Sequence, residues 1–202
     1  MLLYIRLLAL RGVKGRVVVP VTVTRQVEEM LGDGLELVRT PSSLQDLTKA
    51  AAEEGVVFAG ATGGGYVFPE FLPAYDASAS LCKLLELLAP LDVPFSEVVA
   101  ELPKPTLVHS LLQCPWALKG AVMRALNERY ADGDVDLTDG IKIFFDERGW
   151  VQVLPDQDEP VIHVYAEGDS VEESEQLADE LRVLLAQAID GEPLGLENAN
   201  LK

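Results

Sequence analysis

Apolar positions in the first hundred residues alternate between short β-branched runs and helical stripes. Leu2 to Leu10 is apolar nearly all round, broken only by Arg6, and such a helix is normally buried. Arg16 to Pro20 reads as a strand, after which Thr24 is placed to cap a helix with Val27, Met30 and Leu31 on one face. Gly32 and Gly34 end that helix. Leu35 to Val38 is the next strand, and Ser42 with Gln45 forms a capping-box pattern ahead of Leu44, Leu47, Ala51 and Ala52. Val56 to Phe58 is a third strand. Strands separated by helices of this length predict a βαβ arrangement with a parallel sheet. Leu81, Leu84, Leu85 and Leu88 then make an i, i+3, i+4, i+7 stripe, so Ala74 to Ala89 is expected to be an amphipathic helix. A shorter helix over Phe95 to Leu102 closes this half.

Pro103 and Pro105 mark a domain boundary, because proline neither continues a helix nor lets the preceding residue enter one. Beyond them Thr106 to Gln113 reads as a strand, and Ala117 to Tyr130 as a helix burying Leu118, Val122 and Leu126. Ile141 to Phe145, Trp150 to Leu154 and Val161 to Ala166 are strand runs, the first two separated by the turn Glu147-Arg148-Gly149. Ser170 and Glu173 form a capping box for a last helix with Leu177, Leu181, Leu184, Leu185 and Ala188 on its apolar face. The fold class expected is α/β: a parallel βαβ sheet domain over residues 1–103, followed by a small α+β domain with an antiparallel sheet over 104–190, then a tail over 191–202.

Composition narrows the function classes. Hydrophobic residues make up 49% of the 202, ordinary for a packed protein. With 16 basic and 33 acidic residues the formal net charge is -17, which disfavours nucleic acid and anionic membrane surfaces as partners. No apolar stretch approaches membrane-spanning length. Arg6 interrupts the apolar start, Arg11 and Lys14 follow it, and no small-residue cleavage site appears, so the chain is expected to be cytoplasmic. Cys82 and Cys114 lack metal-ligand spacing and read as buried small hydrophobes. His109 and His163 have no patterned Cys or Asp beside them, so no metal site is expected.

Three stretches in the right order resemble one family, the α-D-phosphohexomutases (the phosphomannomutase and phosphoglucomutase group). Gly60-Ala61-Thr62-Gly63-Gly64-Gly65 leading into Tyr66-Val67-Phe68-Pro69-Glu70-Phe71 is similar to the family's sugar-recognition loop. Asp139-Gly140-Ile141-Lys142 with Gly149-Trp150-Val151 looks like its C-terminal domain. Glu159-Pro160-Val161-Ile162-His163-Val164-Tyr165-Ala166-Glu167 matches the strand that leaves its phosphate-binding loop. The resemblance covers the late third domain and the fourth, well under half of a complete mutase. It implies that the phosphoserine donor and the magnesium-binding Asp-Gly-Asp loop belong to sequence upstream. Magnesium is therefore expected only with such a loop, and Asp132-Gly133-Asp134 reads as a surface turn.

Both family loops present here have drifted. In the sugar loop the Glu and the Ser or Asn that bond sugar hydroxyls are replaced by Ala61 and Gly63, leaving Thr62 and the backbone around Gly64 and Gly65. The phosphate loop, usually Arg-Pro-Ser-Gly-Thr-Glu-Pro, aligns with Leu154-Pro155-Asp156-Gln157-Asp158-Glu159-Pro160. Leu154 replaces the arginine, Asp156 and Asp158 replace both hydroxyls, and His163 replaces an arginine of the following strand. At about 5 Å and an effective dielectric of about 20, each carboxylate would repel a unit negative charge by roughly 3 kcal/mol. Phosphate binding in the family's manner is not expected, and no catalytic or metal-binding residue is assigned. The acidic cluster Asp156, Asp158 and Glu159 reads as a solvated turn, and His163 as a strand-packing residue.

Two functions follow from the resemblance. One is a non-catalytic or regulatory module of a sugar-phosphate or sugar-nucleotide enzyme, since the Leu-Pro-Asp-x-Asp-Glu-Pro form looks like mutase-like regions fused to sugar-1-phosphate nucleotidyltransferases. The other is a piece of an active phosphohexomutase, an isomerase, whose serine and magnesium loops lie upstream. The partners expected are upstream domains of the same or a longer protein, with at most weak sugar phosphate. Part of the apolar Leu2 to Leu10 surface is expected to be exposed without those domains and to drive self-association. Light scattering should give a mass above 21.9 kDa that grows with concentration; a strict monomer at high concentration contradicts this.

Overall fold

The computed structural model describes residues 1–145 and 148–191. Glu147 of the Glu147-Arg148-Gly149 turn and the tail beyond 191 lie outside the described residues. The chain divides into two compact units, Met1–Pro105 and Thr106–Lys202.

In the first unit β1 (Gly15–Pro20) lies between β2 (Leu35–Thr40) and β3 (Val56–Gly60) and is parallel to both. A two-residue strand, β4 (Tyr66–Val67), pairs antiparallel with β3 and makes the sheet mixed. The helices are α1 (Leu2–Leu10), α2 (Val27–Met30), α3 (Leu44–Ala51), α4 (Ala77–Leu88) and α5 (Phe95–Ala100). Tyr4, Ile5, Leu7 and Leu8 of α1 join Val17, Val19, Phe58 and Phe68 in the larger core. Leu47 and Ala51 of α3 join Val18, Val56, Ala59 and Val67 in the smaller one. Alternate residues of β1 thus enter opposite cores, which is why its apolar run is unbroken: a sheet covered on both faces has no polar side.

Local details depart from the sequence reading. Ser43, not Ser42, caps α3, its Oγ accepting the Asp46 N–H at 3.0 Å. The Ser43–Asp46 pair meets the same three-residue spacing one position on. Leu44 lies in the first turn and is 67% exposed. Thr24 does not cap α2; its Oγ1 accepts from the Gln26 N–H at 3.2 Å in the turn before it. Asp76 starts α4 by accepting the Ala79 N–H at 2.7 Å. This helix buries Ser80 and Leu87 with Leu84 and Leu88 half-covered, while Leu81, Leu85 and Cys82 are exposed. It carries more leucines than one packed face can cover, and Tyr4 Oη, donating to the Ser80 carbonyl at 2.8 Å, fixes which face turns inward.

The second unit contains β5 (Val108–Gln113), α6 (Trp116–Arg129), β6 (Val135–Asp136), β7 (Ile141–Phe145), β8 (Gly149–Pro155), β9 (Val161–Glu167) and α7 (Val171–Ile189). The sheet runs β5-β9-β8-β7-β6, every pair antiparallel. Ile143, Val151, Val153, Ile162 and Val164 pack with Val122 and Leu126 of α6 and Leu177, Leu181 and Leu185 of α7. Period-two alternation sends His109, Leu111, Gln152, Leu154, His163 and Tyr165 to the opposite face. The Ser170–Glu173 capping box is present at the start of α7. Cys114 is buried, and β6 is too short to leave a periodic signal. Gly149 has φ +114, and a Cβ there would meet the Glu167 carbonyl oxygen at 2.0 Å, so only glycine fits where β8 begins.

Phe58→Ala is expected to cost about 3–5 kcal/mol, because Phe58 is fully buried. Leu81→Ala and Leu85→Ala should each change stability by less than about 0.5 kcal/mol. Urea unfolding followed by circular dichroism measures all three; a large loss at Leu81 would show that α4 faces the other way.

Candidate functional site

The hairpin joining β8 to β9 carries the most organised polar chemistry of the second unit. Its strands are in register up to Pro155 opposite Ile162, and Asp156 N–H donates to the Val161 carbonyl at 3.1 Å. The next residues turn back around the Asp156 side chain. Oδ1 accepts the N–H of Asp158 at 2.7 Å and of Glu159 at 2.6 Å, while Oδ2 accepts from His163 Nε2 at 2.8 Å. The imidazole bond, followed by the two backbone N–H groups, pulls the Asp156 carboxyl down from 3.8 to about 2.

His163 continues the chain. With its Nε2 proton committed to the carboxylate, a neutral ring offers Nδ1 as acceptor, and His109 Nε2 lies 2.9 Å from it. The His109 ring stacks on Tyr165 with centroids 4.3 Å apart. Burial, then the neighbouring His163, lowers the His109 pKa. Below the hairpin, Lys119 Nζ donates to the Asp156 carbonyl at 2.5 Å and to the Glu159 carbonyl, and it lies 3.8 Å from the centroid of the Trp116 ring. Lys119 is buried, so its charge is satisfied by loop carbonyls and an aromatic face.

Leu154 is half-buried, and Gln157, Asp158 and Glu159 are exposed. His163 is therefore not the plain strand-packing residue expected: it is the middle of an Asp156–His163–His109 chain. Linear spacing could not reveal this trio, because β5–β9 pairing sets Leu111 opposite His163 and His109 opposite Tyr165. Lys119 was equally hidden within a helical pattern.

The Gly-rich turn of the first unit follows β3 at the carboxyl end of the parallel strands, where open α/β sheets offer their ligand-binding edge. Gly64 N–H closes the turn on the Ala61 carbonyl at 3.3 Å. Gly64 and Gly65 have φ +94 and +79, and a Cβ on Gly65 would lie 2.6 Å from the Tyr75 ring. Gly63 differs, since a Cβ there would meet nothing within 4 Å. The backbone has room for a polar side chain at 63 that the sequence does not supply. Ala61 is half-buried against the smaller core, while Thr62 is exposed. At the same sheet edge Arg39, absent from the sequence reading, donates to the carbonyls of Val23 at 2.9 Å and Thr24 at 3.3 Å and pairs with Glu28 at 2.8 Å.

Asp132, Gly133 and Asp134 form an exposed turn between α6 and β6, with Gly133 N–H donating to the Tyr130 carbonyl at 3.0 Å. It does not gather the oxygens magnesium requires. Among the described residues no group of three or more His, Cys, Asp or Glu is placed to hold a metal ion, and no helix is long and apolar enough to cross a membrane.

Comparison with known proteins places this geometry. Residues 1–106 match the family described as phosphoglucomutase/phosphomannomutase, alpha/beta/alpha domain III. The chain is 32% identical over 179 residues to a probable phosphoglucosamine mutase of Methanopyrus kandleri, covering 87% of this chain and 39% of that protein. It is 29% identical to the phosphoglucomutase/phosphomannomutase of Thermococcus kodakarensis, covering 79% and 35% respectively. Among solved structures, a phosphoglucomutase/phosphomannomutase family protein from Burkholderia thailandensis superposes with TM-score 0.71 at 21% identity, over 94% of this chain and 41% of that one. The chain thus spans about two fifths of these relatives' length.

The Asp156 pKa sets a pH dependence. The folded carboxyl titrates at about 2 rather than 3.8, so its contribution to stability is complete above pH 3.8 and is lost as pH falls towards 2. Asp156→Asn should remove that component. In urea titrations between pH 4 and pH 2, the variant's midpoint is expected to fall less than the parent's; parallel curves would contradict the hydrogen-bonded carboxylate.

Proposed function

The chain belongs to the phosphoglucomutase/phosphomannomutase family, and from that membership we propose that it serves as a non-catalytic, mutase-derived module of a cytoplasmic sugar-phosphate or sugar-nucleotide enzyme. The observation that carries this reading is the Asp156 carboxylate. In the resemblance described above, the hairpin after β8 presents arginine, hydroxyls and free N–H groups to a phosphate. Here the N–H groups of Asp158 and Glu159 are already bonded to Asp156, and Leu154 offers no charge. A dianion arriving there would meet an ionised carboxylate and two N–H groups without free protons. The sugar loop supports the same reading, since Ala61 and Gly63 give no side-chain hydrogen bond. The resulting degenerate site would contribute shape and assembly to a larger enzyme rather than phosphoryl transfer.

A second reading keeps the chain as part of an active phosphohexomutase whose serine and magnesium loops belong to sequence it does not contain. The matched relatives favour it, because they are named as mutases and extend well beyond this chain. In that case this chain would supply walls for a sugar-phosphate cleft, with grip on the distal phosphate coming from elsewhere.

Isothermal titration calorimetry tests the first reading. The chain is expected to show no heat of binding with mannose 1-phosphate, glucosamine 6-phosphate or glucose 1,6-bisphosphate at low millimolar concentration, and no mutase turnover. Saturable micromolar binding of any of them would overturn the proposal and leave the second reading.

A further inference from the structure

We propose that the outer edge of β5 is a docking site for an extended basic peptide, which adds to the sheet as a further antiparallel strand. This edge lies outside both loops discussed above. β5 ends the five-stranded sheet and pairs only with β9. Just past the last ladder pair, Cys114 N–H donates to the Pro160 carbonyl at 2.8 Å. Antiparallel bonding alternates, so Leu112, Ser110 and Val108 also bond inward to β9. His109, Leu111 and Gln113 therefore turn their N–H and C=O groups outward, where they have no partner among the described residues. Exposed sheet edges are usually blunted by shortness, charge or proline. The other edges follow that rule: β4 and β6 have two residues each, and β2 carries Glu36 and Arg39. β5 has six residues, Val-His-Ser-Leu-Leu-Gln, with no carboxylate, lysine, arginine or proline and no break in register. Leu111 on this edge is 51% exposed.

Charge selects the occupant. A groove of about 280 Å³ between β5 and α7 is lined by Val108, Ser110, Glu175, Ala178, Asp179 and Arg182. Arg182 is taken by Asp179 at 3.1 Å, whereas Glu175 is exposed and has no ion pair among the described residues. Ser110 Oγ is buried in the groove wall, also without a hydrogen-bond partner among the described residues. A lysine on the incoming strand would lay its stem along Val108 and Ala178 and bring its ammonium to Glu175, with Ser110 Oγ as a further acceptor. An aliphatic residue at the next position would turn to the other face and cover Leu111. A second copy of this chain fits less well, since each carries a formal net charge of -17.

The probe is the acetylated and amidated peptide Thr-Lys-Val-Lys-Val-Lys-Thr, titrated into the full chain while the amide resonances of His109, Leu111 and Gln113 are followed by nuclear magnetic resonance. These three amides should shift saturably, with a dissociation constant below about 1 mM. The same peptide with glutamate in place of lysine should bind at least about tenfold more weakly, because like charges would meet across the groove. N-methylation of both valines should abolish binding, because those N–H groups face β5 in the antiparallel register. Glu175→Lys changes an exposed helix position and should leave the circular dichroism unchanged while weakening the lysine peptide at least about threefold. No shift at millimolar peptide, equal affinity of the lysine and glutamate peptides, indifference to N-methylation, or an unweakened Glu175→Lys complex would each overturn the proposal. So would a shift of the same three amides with protein concentration alone, since a second copy would then hold the edge.

Discussion

A carboxylate that accepts hydrogen bonds at both oxygens fixes the position of every group that donates to it. Asp156 is such a group, and the second unit's polar chemistry is arranged around it. Its bonds to Asp158 and Glu159 shape the turn, its bond to His163 sets that ring's tautomer, and His163 in turn orders His109. Lys119 completes the arrangement from below by binding carbonyls rather than the carboxylate. The Asp156 carboxylate and the N–H groups of Asp158 and Glu159 are therefore satisfied within the turn itself.

The first unit meets a different constraint. A parallel sheet covered on both faces needs two apolar cores and a polar rim at the strand ends. Val17 and Val19 enter one core and Val18 the other, while the turns after β1 and β3 form part of the rim. Arg39 binds carbonyls after β1, and Gly64 and Gly65 keep the turn after β3 tight. Gly63 is under no such constraint, because a Cβ there would meet nothing within 4 Å.

Family membership and site chemistry thus carry different weight. Similarity over residues 1–106, and to relatives along most of the chain, speaks for a shared framework. Solved structures at 13–24% identity speak for the fold alone. What a loop binds is decided by a few atoms that such similarity does not constrain.

Local hydrophobic spacing and short-range hydrogen bonding by themselves determined the order of strands and helices apart from β4 and β6, the parallel pairing of β1 with its neighbours ahead of an antiparallel sheet, and the α7 capping box. The Gly-rich turn and the acidic turn between β8 and β9 were also legible, being continuous in sequence. Tertiary structure alone decided which leucines of α4 turn inward, why Cys82 is exposed, and where β4 and β6 pair, because packing selects one face among several apolar ones. It alone joined Asp156 to His163, 7 residues apart, through the β8–β9 register, and His163 to His109, 54 apart, through the β5–β9 register. Residue type alone makes Asp156 a negative charge; the folded chain makes it the acceptor for two backbone N–H groups and an imidazole, because a hydrogen bond depends on where atoms lie and not only on which residues are present.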